Sequence, residues 1–132
     1  MLTIELPLRV TGPASAKSVW GRYDSLDEWS RWAPHIRRVD APRRRLVPGL
    51  RGEVVGPLGV RVPFEIADVD AARRRWSWRV CLGPLTFALQ HGVEALPDGS
   101  AASLRLRGFA PAVVAYWPLA RWALSRLVRA KG

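Results

Sequence analysis

The sequence predicts an α+β fold in which a curved antiparallel sheet of six to seven strands wraps around one long C-terminal helix. Residues 110–131 carry apolar side chains at helical spacing. Residues 36–109 alternate between apolar and polar side chains, as half-buried strands do. Short turns rich in glycine and proline separate the alternating segments, so consecutive strands must be antiparallel. The sheet then supplies the apolar surface that an amphipathic helix needs.

The C-terminal segment, residues 110–131, is the longest amphipathic stretch of the chain. Burying its larger apolar side chains is worth roughly 1.5–3 kcal/mol each, so the helix must pack against a broad surface. Pro118 either begins this helix or bends it, and because it falls on the polar side we favour a continuous helix that bends around the core. The apolar stripe consists of Val113, Trp117, Ala120, Leu124, Leu127 and Val128. The opposite side of the helix carries Arg121, Ser125, Arg126 and Arg129.

Length and composition predict one cytoplasmic domain. A chain of 132 residues can bury a single core, and we assign residues 1–132 to one domain. Residues 2–10 alternate in polarity, which favours a strand over a secretion signal. The basic side chains between residues 121 and 131 argue against a membrane span there. The single cysteine, Cys81, cannot form an internal disulfide, in agreement with a reducing compartment.

The formal net charge of +10 raises the question of a polyanionic partner. All of the 21 basic residues except Lys17 and Lys131 are arginine, a bias that an arginine-rich coding background would also produce. We therefore disfavour nucleic acid as a partner and leave open an anionic membrane surface, for which residues 43–45, residues 73–75 and the helix face of Arg121, Arg126 and Arg129 are candidates. Trp122 lies on the polar side of the C-terminal helix, where it either contacts a partner or is covered by a loop. Monomer and homodimer both remain open.

The N-terminal third predicts a strand and then a helix. Residues 2–10 form the strand, and Pro7 within it indicates an edge or a bulge of the sheet. Residues 11–13 end the strand, and Pro13 suits the first position of a helix. The apolar face of this helix consists of Val19, Trp20 and Tyr23.

A second short helix follows at once. Ser25 and Glu28 have the spacing of a capping box, with Trp29 and Trp32 on the apolar side and Pro34 at the end.

The acidic cluster at this helix has two interpretations. Asp27 and Glu28 lie in the first turn of this helix, where the helix dipole favours anions, which is a structural role. The alternative, in which Asp24, Asp27 and Glu28 form a general acid or a metal site, lacks a histidine or a second oxygen cluster at ligand spacing. We favour the structural interpretation.

Alternation and turns mark the strands between residues 36 and 109. Glycine-containing turns are predicted at residues 49–52, 56–59, 83–84 and 97–100. The apolar sides of the strands between them consist of Val60, Val62, Phe64 and Ile66; Trp76, Trp78, Val80 and Leu82; Leu85, Phe87, Leu89, His91 and Val93; and Ala102, Leu104 and Leu106.

A set of residues spread over nearly the whole chain points to a known family. It consists of Val19-Trp20, Asp24, Trp29, Trp32, Pro34 and Ile36, the glycines Gly49 and Gly52, Arg75-Trp76-Ser77-Trp78, His91-Gly92-Val93-Glu94, and the closing helix. In these features the chain resembles the START/SRPBCC superfamily, of the polyketide cyclase/dehydrase type, which has a helix-grip fold. The resemblance implies a cavity between sheet and helix for apolar or aromatic molecules such as lipids, polyketides, quinones or hormones. It does not imply catalysis.

The inward sides of the strands and the helix predict which residues line that cavity. Most of them would also serve as ordinary core residues, and only a remaining void would make a site. The predicted lining consists of Val62, Phe64, Trp76, Trp78, Val80, Phe87, Leu89, His91, Leu104 and Leu106, with Val113, Tyr116, Trp117, Ala120 and Leu124 from the helix.

Two polar side chains in this lining are candidates for chemistry. His91 is either a hydrogen-bonded core histidine, which we favour, or a partner or general acid/base for a bound carbonyl group. Tyr116 would add a second polar group, whereas His35 follows Pro34 and is predicted to be exposed. Cys81 and two distant histidines do not make a zinc site, and no nucleophile elbow, phosphate loop or cofactor motif is present.

Three functions therefore remain. The first is a carrier or sensor that binds a small hydrophobic or aromatic ligand in the cavity. The second is a polyketide cyclase, aromatase or dehydratase that acts in the same cavity. The third is a basic surface that binds nucleic acid or an anionic membrane.

Overall fold

The computed structural model describes residues 2–129 and contains one seven-stranded sheet and three α-helices within that range. Short 3-10 turns at Leu26–Glu28 and Pro57–Gly59 join some of these elements. The elements are β1 (Thr3–Gly12), α1 (Ala16–Asp24), α2 (Trp29–Trp32), β2 (Arg38–Asp40), β3 (Arg51–Val55), β4 (Arg61–Asp70), β5 (Arg75–Leu82), β6 (Leu85–Leu96), β7 (Gly99–Phe109) and α3 (Ala110–Leu127).

All neighbouring strands are antiparallel, in the order β1-β7-β6-β5-β4-β3-β2. The predicted α+β fold with a curved antiparallel sheet is therefore confirmed. β1 lies at one edge, as Pro7 indicated, because its missing N–H is tolerated where no further strand needs it. A register shift between Ile66 and Asp68 marks a bulge, which is a feature that bends a strand and increases its twist.

The C-terminal helix α3 runs without interruption from Ala110 through Pro118 to Leu127, so the continuous helix is confirmed. It ends earlier than the predicted Lys131, which lies outside the described residues. The physical reason is a cap made by a distant residue of α1: the Arg22 guanidinium donates to the carbonyls of Leu127 (2.5 Å) and Arg129 (2.8 Å). The predicted stripe is buried except for Trp117, which is half-buried.

The first helical region differs from the prediction at both of its caps. α1 begins at Ala16 and not at Pro13, because the Ser15 hydroxyl accepts from the backbone N–H of Ser18 at 3.1 Å and sets the start. Ser25 makes no capping box. Its N–H closes α1 on the carbonyl of Gly21 (3.0 Å), and its side chain makes no cap hydrogen bond.

The acidic cluster has arginine partners. Asp24 bonds to Arg45, and Asp27 lies 2.6 Å from Arg44. These pairs join the α1–α2 region to the loop after β2, a structural role that the helix-dipole argument did not include. No helix among residues 2–129 has both the length and the apolarity to cross a membrane.

Candidate ligand cavity

A cavity of about 220 Å³ lies between the inner face of the sheet, α2 and α3. Its wall is almost entirely aliphatic and aromatic, and among residues 2–129 no carboxylate, lysine or arginine lines it. The lining residues are Trp29, Trp32, Ala33, His35, Ile36, Val54, Val62, Trp76, Trp78, Val80, Leu82, Phe87, Leu89, His91, Leu104, Leu106, Ala112, Tyr116, Ala120, Ala123 and Leu124.

Most of the residues that strand alternation placed in the lining are there. Period-two alternation puts them on the inner face of β4 to β7, and the helical stripe of α3 supplies the rest. The predicted residues that the structure brings together around the cavity are Val62, Trp76, Trp78, Val80, Phe87, Leu89, His91, Leu104, Leu106, Tyr116, Ala120 and Leu124.

Three predicted residues lie outside the cavity wall. Phe64 is buried against the rings of Trp29 and Trp78, at centroid distances of 6.1 and 5.5 Å. Val113 is fully buried on α3. Trp117 turns toward the sheet edge, where its indole N–H donates to the carbonyl of Pro7 at 3.4 Å. α3 packs on β1 and β7, so only part of its apolar stripe faces the void.

Sequence reasoning missed the part of the wall that comes from α2 and the residues after it. Trp29 and Trp32 are three positions apart and so share one face of a helical turn, a signal that was present in the sequence. Nothing local showed that this face would cover the void. The other residues that were missed are Ala33, His35, Ile36, Val54, Leu82, Ala112 and Ala123.

One side chain of the cavity wall is exposed beside the β5–β6 turn. Leu82 lines the cavity and is also 49% exposed. Leu58 and Val60, in the turn before β4, are 94% and 51% exposed. Both turns lie at the same end of the antiparallel sheet, so exposed apolar side chains are grouped at this end, next to the cavity wall.

Four tryptophans line the cavity, and their indole N–H groups are not equally bonded. Trp29 donates to the carbonyl of Tyr23 (2.8 Å), and Trp32 to that of Arg22 (3.2 Å). Trp78 donates to Nε2 of His91 at 3.0 Å. Trp76 is 3% exposed, and its buried Nε1 has no partner among the described residues. Buried donors are nearly always paired, so this N–H is an exception that needs an explanation.

His91 has both ring nitrogens occupied. An indole N–H can only donate, so Nε2 of His91 accepts from Trp78 and its proton is on Nδ1, 3.1 Å from the Tyr23 hydroxyl. The ring is also stacked on Trp76, with centroids 4.4 Å apart. Burial lowers the pKa of His91 to about 3, so the ring is neutral at pH 7. This geometry is that of the hydrogen-bonded core histidine.

His35 differs from His91 in its hydrogen bonds. The prediction that His35 is exposed was wrong. It is partly buried, and its Nε2 lies 3.1 Å from the Tyr116 hydroxyl, because α3 passes beside the segment that follows α2. The Nδ1 atom of His35 is buried and has no partner among the described residues. Burial lowers the pKa of His35 below its ordinary value and raises that of Tyr116 to about 12. Both groups are therefore neutral at pH 7.

No metal site was found in the described part of the chain, where no three histidine, cysteine, aspartate or glutamate side chains are grouped to hold an ion. The chemistry of the wall is thus that of neutral hydrogen-bonding groups set in an apolar surface.

Comparison with known proteins identifies the family. Residues 3–131 match the family described as polyketide cyclase / dehydrase and lipid transport. The chain belongs to this family. The resemblance to the SRPBCC superfamily is thereby confirmed, and membership of the polyketide cyclase/dehydrase and lipid transport family agrees with a fold that binds hydrophobic ligands. No curated protein matches the sequence.

Solved structures share the helix-grip fold of this family member at low sequence identity. Ara h 8.0201 is 14% identical with a TM-score of 0.72, over 94% of this chain and 95% of that one. XoxI from Bacillus cereus is 12% identical with a TM-score of 0.71, over 97% and 94%. The hypothetical protein jhp0584 from Helicobacter pylori is 16% identical with a TM-score of 0.75, over 96% and 86%. These similarities concern the fold alone.

Proposed function

We propose that the protein binds one small hydrophobic or aromatic molecule in the cavity between the sheet and α3, as a carrier or sensor. The observation that carries the proposal is the void itself. Protein interiors are packed as densely as organic crystals, so a cavity of about 220 Å³ is far larger than an ordinary packing defect. An apolar cavity of roughly 150 Å³ is large enough for benzene. The space therefore suits a ligand of one or two rings, or a short acyl or polyketide-like chain.

Binding without catalysis is favoured by the state of His91. Its two nitrogens already bond to Tyr23 and Trp78, so it has no free lone pair with which to take a proton from a substrate. The cyclase alternative assigned acid/base chemistry to this residue. Burial raises the pKa of Tyr116 to about 12, so at pH 7 it is a neutral phenol and not a phenolate that could take up a proton.

The surface alternative has weaker support. It rested on the arginines at 43–45 and 73–75 and on the arginine face of α3. In the first of these runs, Arg44 and Arg45 already have carboxylate partners in Asp27 and Asp24. Trp122 is 54% exposed and is not covered by a loop, but an exposed single side chain is normal on a protein surface.

Native mass spectrometry of the protein purified from its own host tests the proposal. We expect an adduct with the mass of a small hydrophobic molecule. The matched variants are Ala120→Leu, which fills the cavity from α3, and Ala115→Leu, which adds the same atoms to the exposed side of that helix. Ala120→Leu should lose the adduct and keep or raise the melting temperature, because filling a void adds contacts. Ala115→Leu should keep the adduct.

An adduct that survives Ala120→Leu unchanged would place the ligand elsewhere and end this proposal. So would a wild-type protein that carries no adduct and binds none of a panel of one- and two-ring hydrophobic compounds.

A further inference from the structure

We propose that one end of the sheet docks on an anionic phospholipid bilayer, with the side chain of Leu58 inserted among the lipids. The surface concerned, the apolar tip, consists of Leu58 and Val60 in the turn before β4 and Leu82 at the end of β5. It is a different surface from the arginine runs at 43–45 and 73–75. The inference goes beyond the proposed function, because it names a partner for the outside of the protein and not a ligand for the cavity.

Exposed apolar side chains are concentrated at this end of the sheet. The pairing of Phe64 with Val80 brings the start of β4 beside the end of β5, and β1 begins at the same end, since Thr3 pairs with Phe109 at the end of β7. A single exposed apolar side chain is normal on a protein surface, whereas a group of them indicates an interaction site. Of the seven large apolar side chains that are exposed among residues 2–129, four lie here: Leu2, Leu58, Val60 and Leu82.

Leu58 has a backbone conformation and an exposure that the fold alone does not explain. Its φ of 60° lies in the left-handed region, which glycine and asparagine adopt far more readily than leucine. Its side chain is 94% exposed, so no packing within the protein offsets the strain or the contact with water. Residues held in such conformations are concentrated at binding and active sites. An apolar partner would remove this side chain from water.

The charges around the apolar tip are positive. The two segments that contain its turns, residues 54–64 and 79–89, contain arginine but no aspartate or glutamate. Arg61 in the first segment is paired with carboxylates, whereas exposed Arg79 in the second has no carboxylate partner among residues 2–129. The same holds for exposed Arg37, whose N–H donates to the last residue of β3. Four carboxylates lie instead at or just beyond the opposite ends of β4 and β6: Asp68, Asp70, Glu94 and Asp98.

An anionic bilayer is the partner that fits both features of this surface. Its headgroup layer carries negative charge, and its interior takes up apolar side chains. Nucleic acid would pair with the arginines but not with Leu58, because its phosphate backbone offers no apolar layer. A second copy would bring like charges together, which is unfavourable for a chain with a net charge of +10.

Docking at this end also has a consequence that rests on the proposed function. Leu82 belongs both to the apolar tip and to the cavity wall. A bilayer on the apolar tip therefore lies next to the cavity wall, which shortens the path of a hydrophobic ligand through water.

Flotation with vesicles tests the inference, with phosphatidylcholine alone and with equal parts of phosphatidylcholine and phosphatidylglycerol. A protein of this charge is attracted to anionic vesicles as a whole, so each variant is compared with one of the same charge at another position. Leu58→Asn removes the apolar side chain, and its control Trp122→Gln removes an exposed one about 18 Å along α3 from this end. Arg79→Gln removes one charge near the apolar tip, and its control Arg75→Gln removes one at the other end of β5.

We expect Leu58→Asn to weaken binding to the anionic vesicles about tenfold, which is the effect of withdrawing one leucine side chain from lipid. Trp122→Gln should leave the binding unchanged. Arg79→Gln should weaken it about fivefold, and Arg75→Gln clearly less. Vesicles of phosphatidylcholine alone should bind wild type much more weakly. Leu58→Asn should melt no lower than wild type, because asparagine suits the left-handed backbone.

Four results would overturn the inference. They are a wild type that does not bind the anionic vesicles, a Leu58→Asn variant that binds them as wild type does, equal losses in Leu58→Asn and Trp122→Gln, and equal losses in Arg79→Gln and Arg75→Gln. A dimer in analytical ultracentrifugation that Leu58→Asn dissociates, without vesicle binding, would assign the apolar tip to a second copy and also overturn it. The adduct in native mass spectrometry is measured without vesicles, so a failure of docking leaves the proposed function standing.

Discussion

His91 and His35 lie in the wall of the same cavity but differ in their hydrogen bonds. His91 is held between Tyr23 and Trp78 and has no free nitrogen. His35 bonds to Tyr116 through one nitrogen and leaves the other unpaired. Both are neutral because burial lowers their pKa values, so charge does not distinguish them. A buried histidine with complete bonding stabilises the fold, whereas a buried nitrogen without a partner costs stability.

The largest effect should come from removing the histidine whose bonds are complete. His91→Leu leaves the Trp78 N–H and the Tyr23 hydroxyl unpaired in the core, and each such group costs about 1–3 kcal/mol. We expect unfolding in urea to show a loss of about 2–5 kcal/mol. His91→Gln, whose amide can both accept and donate, should lose clearly less. Equal losses for the two variants would mean that packing and not hydrogen bonding explains the role of His91.

The lowered pKa of His91 predicts that the fold loses stability in acid. The pKa of His91 is about 3 in the folded protein and about 6.5 in the unfolded chain, so below pH 6.5 the unfolded state binds more protons. The contribution of neutral His91 to the free energy of unfolding is fully present above pH 6.5. It should fall by up to about 1.4 kcal/mol per pH unit as the pH drops toward 3. His35 contributes in the same direction. Urea titrations between pH 7 and pH 4.5 measure the slope, and His91→Gln should flatten it. A slope that His91→Gln leaves unchanged would contradict this assignment.

A change at the edge of the cavity should have an intermediate effect. A Cβ on Gly108 would overlap the Phe87 ring, and Phe87 lines the cavity, so Gly108→Ala should push the ring into the void. We expect a loss of about 1–3 kcal/mol and weaker binding of any cavity ligand. The control is Gly21→Ala in α1, where a Cβ meets nothing within 4 Å and helix propensity should raise stability by up to about 1 kcal/mol. Unaltered ligand binding in Gly108→Ala would show that Phe87 does not move into the cavity.

The smallest effect on stability should come from the histidine with the free nitrogen. His35→Leu removes one hydrogen bond to the half-buried Tyr116 and at the same time removes an unpaired buried nitrogen. These changes oppose each other, so we expect a change within about 1 kcal/mol in urea unfolding. A loss as large as that of His91→Leu would mean that the two histidines have the same structural role.

The predictions that failed are those that depend on distant partners. His35 follows Pro34 and looks exposed in sequence, but it meets Tyr116, which is 81 positions away on α3. Ser25 has capping-box spacing, but Leu26 donates to the carbonyl of Arg44 and the segment becomes a 3-10 turn. α3 stops at Leu127 because Arg22 caps it. Each outcome is decided by a contact between segments that no local pattern encodes.

The sequence by itself determined the strands, the long helix, the family resemblance and most of the apolar residues that line the cavity. Periodicity specifies which side of an element is apolar, and the order of turns specifies how neighbouring strands pair. Only the tertiary structure decided that a void of about 220 Å³ remains, that α2 forms part of its wall, and which polar atoms there are already bonded. Those properties depend on how side chains from segments far apart in sequence fit together, because packing and hydrogen bonding are satisfied across the whole core and not within one element.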